Sequence, residues 1–197
     1  MKQENVETEE GGLPELFTAS EFANFCQVDL KTIHNWADKG EIRHFRTPGR
    51  HLRFRRLDVL DFLRKYGYPI PEILRAGKPK VVVVDEDPNV LAQVRRNLGR
   101  RFDVTTFQDP FEALVAVGTL VPDAMVLDLD MQGMEAVKCL ERLRMIDATS
   151  HIRYVVYSAR EEHRRAAMDA GAADFVSKGD PTQLRESLER LTGLERS

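Results

Sequence analysis

The chain has 197 residues, 42% apolar and 31% charged, with a net charge of −3. That is an ordinary globular balance, sufficient for one large or two small domains, and no apolar run approaches the ~20 residues of a membrane span. The charge is unevenly spread: Leu30 to Lys65 holds ten Lys/Arg against four Asp/Glu, a local +6 that leaves −9 for the remainder. A basic block in an acidic protein points to a polyanion partner for that block alone.

Met1 to Gly12 is acidic and polar, unlike a signal or transit peptide, and reads as a disordered tail over residues 1–12. The two cysteines, Cys26 and Cys139, lie far apart within helical patterns. They read as core thiols of a cytoplasmic protein, not as a disulfide or metal site.

A first domain spans residues 13–66. Thr18 and Glu21 have the spacing of a capping box, and Phe22, Phe25 and Cys26 follow at helical spacing, predicting a helix over 20–27. Asp29 caps a second helix over 30–39, which Gly40 ends in a left-handed conformation. Ile33, Trp36 and Ala37 share its apolar face, whereas Lys31, Thr32, His34 and Asn35 lie on the exposed side. Ile42 to Arg46 and Leu52 to Arg55 alternate apolar and basic residues around Pro48-Gly49, so they predict a hairpin. A third helix opens at Leu57-Asp58 and ends near Gly67.

Phe17-Thr-Ala-Ser-Glu21, Val28 to Trp36, Gly40-Glu-Ile42 and Arg46 to Phe54 together resemble the winged helix-turn-helix of MerR-type regulators and excisionases. The resemblance covers about residues 14 to 66 and implies binding to double-stranded DNA. It implies base-edge roles for Lys31, Thr32, His34 and Asn35, and phosphate or minor-groove roles for Arg46, Arg50, Arg53 and Arg55. One small winged helix offers few contacts, so a homodimer on a repeated site is expected. The competing reading is a basic solvated surface on a small protein-binding domain. His34 and His44 lack a cysteine partner at metal-site spacing.

Tyr66 to Pro79 contains two glycines and three prolines in fourteen residues, which predicts a semi-rigid linker, placed at 67–79.

From Lys80 to the end, strands and helices alternate. Strands are predicted at 80–85, 102–107, 124–128, 152–157 and 174–176. Helices are predicted at 89–98, from Asp109-Pro110, at 135–145, at 161–170 and at 183–191. Five βα units with short connections predict an open, doubly wound parallel sheet over 80–197. The overall fold class is α/β with a small α+β domain in front. The runs Val81 to Val84 and Val126-Leu127 each deliver acids to the carboxyl edge of that sheet, a design for a divalent cation with a phosphoryl group beside it.

This half resembles the receiver domain of two-component response regulators over nearly all of residues 80 to 193. The resemblance implies that Asp128 is the phosphoacceptor, with Asp85 and Glu86 as its acidic pair. Ser158 is implied as the switch hydroxyl, Phe175 as the switch aromatic and Lys178 as the phosphoryl-neutralising cation. It further implies Mg²⁺ on Asp85, Glu86, Asp128 and the backbone carbonyl of Asp130, and a sensor histidine kinase or phosphotransfer protein as donor. The sequence departs from that family at Gln132, where Pro is usual, at Ala136, where Gly is usual, and at Gly179-Asp180-Pro181 after the lysine.

The function implied is a DNA-binding response regulator, a phosphoacceptor and not an enzyme, with the DNA-binding unit unusually placed first. Two alternatives stand beside it. In one, the receiver is a docking module of a scaffold protein, independent of phosphorylation. In the other, Asp128-Leu-Asp130 is the DxD motif of a haloacid-dehalogenase-type phosphatase, but Met131-Gln132 replace that family's Gly-Thr.

Overall fold

The structure is a computed structural model, which describes residues 16–74, 77–131, 135–146 and 148–194. The chain divides into two compact units, one ending at Gly77 and the other beginning at Lys78.

In the first unit, strand β1 (Leu16–Thr18) leads directly into helix α1 (Ala19–Cys26). The predicted capping box forms: Thr18 Oγ1 accepts from the Glu21 backbone N–H, and the Glu21 carboxylate accepts from the Thr18 N–H at 2.7 Å. Helix α2 (Leu30–Asp38) is capped by Asp29, and Gly40 takes φ +72°, the left-handed conformation that ends the helix. Strand β2 (Phe45–Arg46) pairs antiparallel with β3 (Leu52–Arg55), and helix α3 (Arg56–Lys65) follows without a break.

The sheet order is β1-β3-β2, so the hairpin gains a third strand that the sequence pattern did not reveal. β1 is only three residues long, too short to show a period of two, and its pairing with β3, Leu16 with Arg55, Phe17 with Phe54 and Thr18 with Arg53, defines it. The first hairpin strand, expected over 42–46, is confined to Phe45–Arg46, and the Ile42 side chain is buried in the core of the first unit. Phe22 packs edge-on against Phe54 and Phe62, with centroids 5.0 and 5.4 Å away, joining α1, the hairpin and α3.

The segment expected to be a linker is partly structural. Residues Glu72–Leu74 form a short 3-10 turn, and Tyr68, Ile70 and Leu74 pack into the core of the first unit. Leu74 is fully buried, and its carbonyl accepts from the buried Arg56 guanidinium at 3.1 Å. Residues 68–74 therefore belong to the packing of the first unit.

In the second unit the strands are β4 (Lys80–Val84), β5 (Asp103–Phe107), β6 (Ala124–Leu127), β7 (Arg153–Ser158) and β8 (Asp174–Ser177). They form one parallel sheet in the order β5-β4-β6-β7-β8. Helices α4 (Pro88–Leu98), α5 (Pro110–Leu120), α6 (Ala136–Met145), α7 (His163–Asp169) and α8 (Pro181–Thr192) connect and close it. The valine run divides by parity, as side chains alternate across a sheet. Val81 and Val83 pack with Leu91, Val94, Leu184 and Leu188 of α4 and α8. Val82 and Val84 pack with Ala113, Val117, Leu140 and Ala167 of α5, α6 and α7. Each buried valine contributes on the order of 1.5–3 kcal/mol, which explains why both faces are apolar and why β4 shows no alternation.

Three helices begin with Pro after a capping Asp: Asp87-Pro88, Asp109-Pro110 and Asp180-Pro181. The last of these starts α8 two residues earlier than its apolar pattern indicated. Helix α7 is shorter than the expected 161–170, because Glu161 lies before it and is held by other partners described below.

Candidate functional site

The carboxyl edge of the parallel sheet is where the second unit gathers its charged residues. Register brings them together. Val84 pairs with Leu127, and the Asp128 N–H donates to the Val84 carbonyl at 3.2 Å, so Asp85 and Asp128 leave adjacent strands side by side. Leu127 pairs with Val156 and Ser158 with Ser177, while the Lys178 N–H donates to the Ser158 carbonyl at 2.9 Å. Four positions spread over more than ninety residues thus converge by strand alignment alone.

At the centre lies Lys178. Its Nζ is 2.6 Å from Asp85 Oδ2 and 2.7 Å from Asp128 Oδ2. Both carboxylate side chains are nearly buried, at 4% and 9% exposure, and the lysine is 20% exposed. Burial works against the Lys178 ammonium, but its hydrogen bonds to Asp128 and Asp85 outweigh that and hold its pKa above the usual lysine value. The second oxygens are also held: Asp85 Oδ1 accepts from the Asp87 N–H and Asp128 Oδ1 from the Asp130 N–H.

Glu86, expected to share a metal with these two, is exposed. Among the described residues no three His, Cys, Asp or Glu side chains form a ready cluster for a metal ion. The donor set nevertheless fits Mg²⁺, which is typically held by one or two carboxylates with water and phosphate oxygens completing its shell. Asp85 and Asp128 supply hard oxygen donors, and two buried acids sharing one lysine leave room for further positive charge.

Ser158 is fully buried, and its hydroxyl donates to Asp130 Oδ2 at 3.2 Å while accepting from the Arg160 N–H. Asp130, expected only to lend its backbone carbonyl, thus engages the Ser158 hydroxyl through its side-chain carboxylate. It also pairs with Arg160 Nε at 3.2 Å, and His163 Nδ1 lies 3.7 Å away. Sequence reasoning missed this side-chain role. Its only trace was the two-residue spacing of Asp128 and Asp130, with Arg160 similarly two beyond Ser158.

Phe175 is buried, at 3% exposure. The Arg164 guanidinium covers its ring, with Cζ 4.5 Å from the centroid. Gln132 lies outside the described residues; Ala136 is buried as the first residue of α6.

In the first unit, the residues expected to read DNA divide into three groups. Lys31 and Asn35 are exposed on α2, and Arg50 is exposed at the hairpin tip with φ +61°. Thr32 is occupied: its hydroxyl and its backbone N–H both donate to Asp29 Oδ1, at 3.0 and 2.7 Å, so its role here is capping. These bonds hold the Asp29 carboxyl below the usual range. His34 is half-buried. Arg46 is also engaged, pairing with Asp38 at 2.9 Å and donating to the Arg50 carbonyl, which ties the hairpin to the end of α2. Arg53 is half-buried and donates to the Leu52 carbonyl, and Arg55 lies 6.0 Å from the Phe45 ring.

The order of the sheet, the five βα units and the acid-lysine cluster at the carboxyl edge define a doubly wound α/β module of the receiver type. The chain belongs to the response regulator receiver domain family, whose model matches residues 81–189. A second model, for a helix-turn-helix domain, matches residues 16–67.

Two curated relatives illustrate the similarity. The transcriptional regulatory protein PrrA of Mycobacterium tuberculosis is 38% identical over 121 residues, which are 60% of this chain and 50% of PrrA. Response regulator MprA of Mycobacterium sp. (strain KMS) is 34% identical over 120 residues, 59% of this chain and 50% of MprA. The chain therefore spans about half the length of the curated relatives it matches. Among solved structures, the signal receiver domain of a response regulator from Bermanella marisrubri superposes with a TM-score of 0.54 at 26% identity, covering 58% of this chain and 98% of that one. No helix among the described residues is long and apolar enough to cross a membrane.

Proposed function

We propose that this chain is a DNA-binding response regulator: Asp128 accepts a phosphoryl group, and the modification controls DNA binding by a MerR-like winged helix-turn-helix. The observation that carries the reading is the Asp85–Lys178–Asp128 cluster at the carboxyl edge, in a chain that also holds a helix-turn-helix unit with a basic hairpin. Burying two carboxylates together is costly unless a cation and a function offset it.

In this reading an Asp128 oxygen attacks the phosphorus of a histidine kinase or small-molecule donor, the donor's P–O or P–N bond breaks, and an acyl phosphate forms. Asp85 and Asp128 would hold Mg²⁺, which when bound neutralises charge on the acceptor and the phosphoryl oxygens. Lys178 is close enough to follow a phosphoryl oxygen once Asp128 is phosphorylated. Ser158 would exchange its Asp130 partner for a phosphoryl oxygen. On the DNA side, Lys31 and Asn35 are the side chains best presented to base edges, and Arg50 is the cation best presented to phosphate. A homodimer on a repeated site would supply enough contacts for specificity.

The test is incubation with Mg²⁺ and acetyl phosphate, followed by intact mass. One added phosphoryl group on the wild type and none on Asp128→Asn is the expected result. An unlabelled wild type, or equal label on the variant, overturns the assignment of Asp128.

A further inference from the structure

Arg164 makes more contacts than an exposed helical arginine needs. Its side chain is 49% exposed, yet each of its three nitrogens donates a hydrogen bond. Nε donates to Glu161 Oε2 at 2.8 Å and Nη2 to Glu161 Oε1 at 3.2 Å, a bidentate pair. Nη1 donates to the Phe175 carbonyl at 3.2 Å, and the plane lies over the Phe175 ring. Glu161 in turn accepts from the Ser177 hydroxyl. The first turn of α7, through Arg164, and the residue Glu161 just before it are therefore fastened to β8 at three points: a backbone carbonyl, a ring face and a hydroxyl. These bonds hold the Glu161 carboxyl below its usual range.

The position of this fastening matters. Among the described residues β8 is an edge strand, bonded only to β7, and α7 has seven residues with no side-chain cap. Such a pair would ordinarily be among the looser parts of the sheet. Meanwhile the two ends of the expected switch stand in different conditions. Ser158 is still bonded to Asp130, as an unmodified site requires, but Phe175 is already buried.

We propose that Arg164 is a positioning residue that locks Phe175 in its buried orientation before any phosphorylation, so that the α7–β8 face is preset and Ser158 does not have to draw the ring inward. A planar guanidinium suits this role, since it stacks on a ring and forks to a carboxylate at once, which an ammonium cannot do. The consequence for regulation rests on the phosphoacceptor reading of Asp128; the lock itself does not.

Hydrogen exchange of the full chain, followed by mass spectrometry over residues 160–178, separates the two. Without any phosphodonor, Arg164→Ala should exchange at least tenfold faster than wild type in β8, with Arg164→Lys intermediate. Circular dichroism and the exchange of β4 and β6 identify any variant that has simply unfolded, and Arg164→Lys then carries the comparison. With Mg²⁺ and beryllofluoride, a phosphoryl mimic, wild-type β8 should change less than twofold, whereas Arg164→Ala should slow at least fivefold toward the wild-type rate. Equal exchange of Arg164→Ala and wild type in β8 overturns the lock. So does a wild-type β8 that slows fivefold with beryllofluoride. If acetyl phosphate fails to label Asp128, the phosphoacceptor reading fails, and the comparison without donor still decides the lock.

Discussion

Lys178 Nζ and Asp128 Oδ2 meet at 2.7 Å although the two residues are fifty positions apart in the chain. The same nitrogen reaches Asp85, so the ammonium stands where a bound cation would also be drawn. Removing it leaves two nearly buried carboxylates facing each other. Lys178→Ala should therefore destabilise the second unit by about 2 kcal/mol, less than a fully buried pair because the lysine is partly exposed. Added Mg²⁺ should restore more stability to the variant than it adds to wild type, since the cation no longer competes with Lys178. Thermal melts with and without Mg²⁺ measure both; a variant that ignores the ion contradicts the shared site.

The pH dependence of this pair has a definite sign. The folded pKa of Lys178 is raised, so its contribution is complete below the unfolded lysine value of about 10.4 and is lost as pH rises through the higher folded value. The stability gap between wild type and Lys178→Met should be flat from pH 8 to about 10 and narrow only above that. Urea melts across this range would show it, and a gap already closing at pH 8 to 9 would contradict the ion pairing.

At the hairpin, the exposed Arg46–Asp38 pair offsets one cationic charge with a carboxylate. Asp38→Ala should release it, raising non-specific DNA affinity and steepening the salt dependence by about one counterion. Arg50→Ala should do the reverse, weakening binding and flattening the slope by about one. Binding isotherms at several salt concentrations give the slopes. Unchanged slopes in both variants would remove the hairpin from the interface.

Leu74 tests where the first unit ends. Leu74→Ala empties a fully buried position and should cost about 2–5 kcal/mol. A fragment ending at Tyr66 should be correspondingly less stable than one ending at Gly77, because it also strips the carbonyl partner from Arg56. Equal melting of the two fragments would return the whole stretch to a linker role.

The cysteines should differ in reactivity. Burial pushes the Cys26 thiol up to about 11 and raises Cys139 as well, but Cys26 is buried and Cys139 only half-buried. At pH 8 roughly one Cys26 in a thousand is thiolate even before access is considered. Iodoacetamide should therefore modify Cys139 well before Cys26, and peptide mapping of partial reactions checks the order.

Much of this architecture is local and so was readable in the residues. Capping depends on residues three apart, which is why Thr18–Glu21 and Asp29–Thr32 formed as expected. The parallel sheet was readable because a strand buried on both faces must be apolar throughout, as Val81 to Val84 and Val126-Leu127 are. The acids at the carboxyl edge followed from where those runs end. What the pattern could not carry was anything set by partners distant in sequence. β1 exists only through its pairing with β3, and Leu74 is core because the apolar cluster of the first unit receives its side chain while Arg56 satisfies its carbonyl. Thr32, Arg46 and Asp130 were given roles through the family resemblances, but their partners Asp29, Asp38 and Ser158 decide what each side chain is free to do. Arg164 over Phe175 has no signature at all in a chain with many arginines. Periodicity and capping are properties of consecutive residues, whereas ion pairing, ring stacking and hydroxyl orientation arise when strand register brings separate segments within about 3 to 5 Å. The sequence alone determined the two folds and the edge where the acids gather; the tertiary structure alone decided which of those charges are already spoken for.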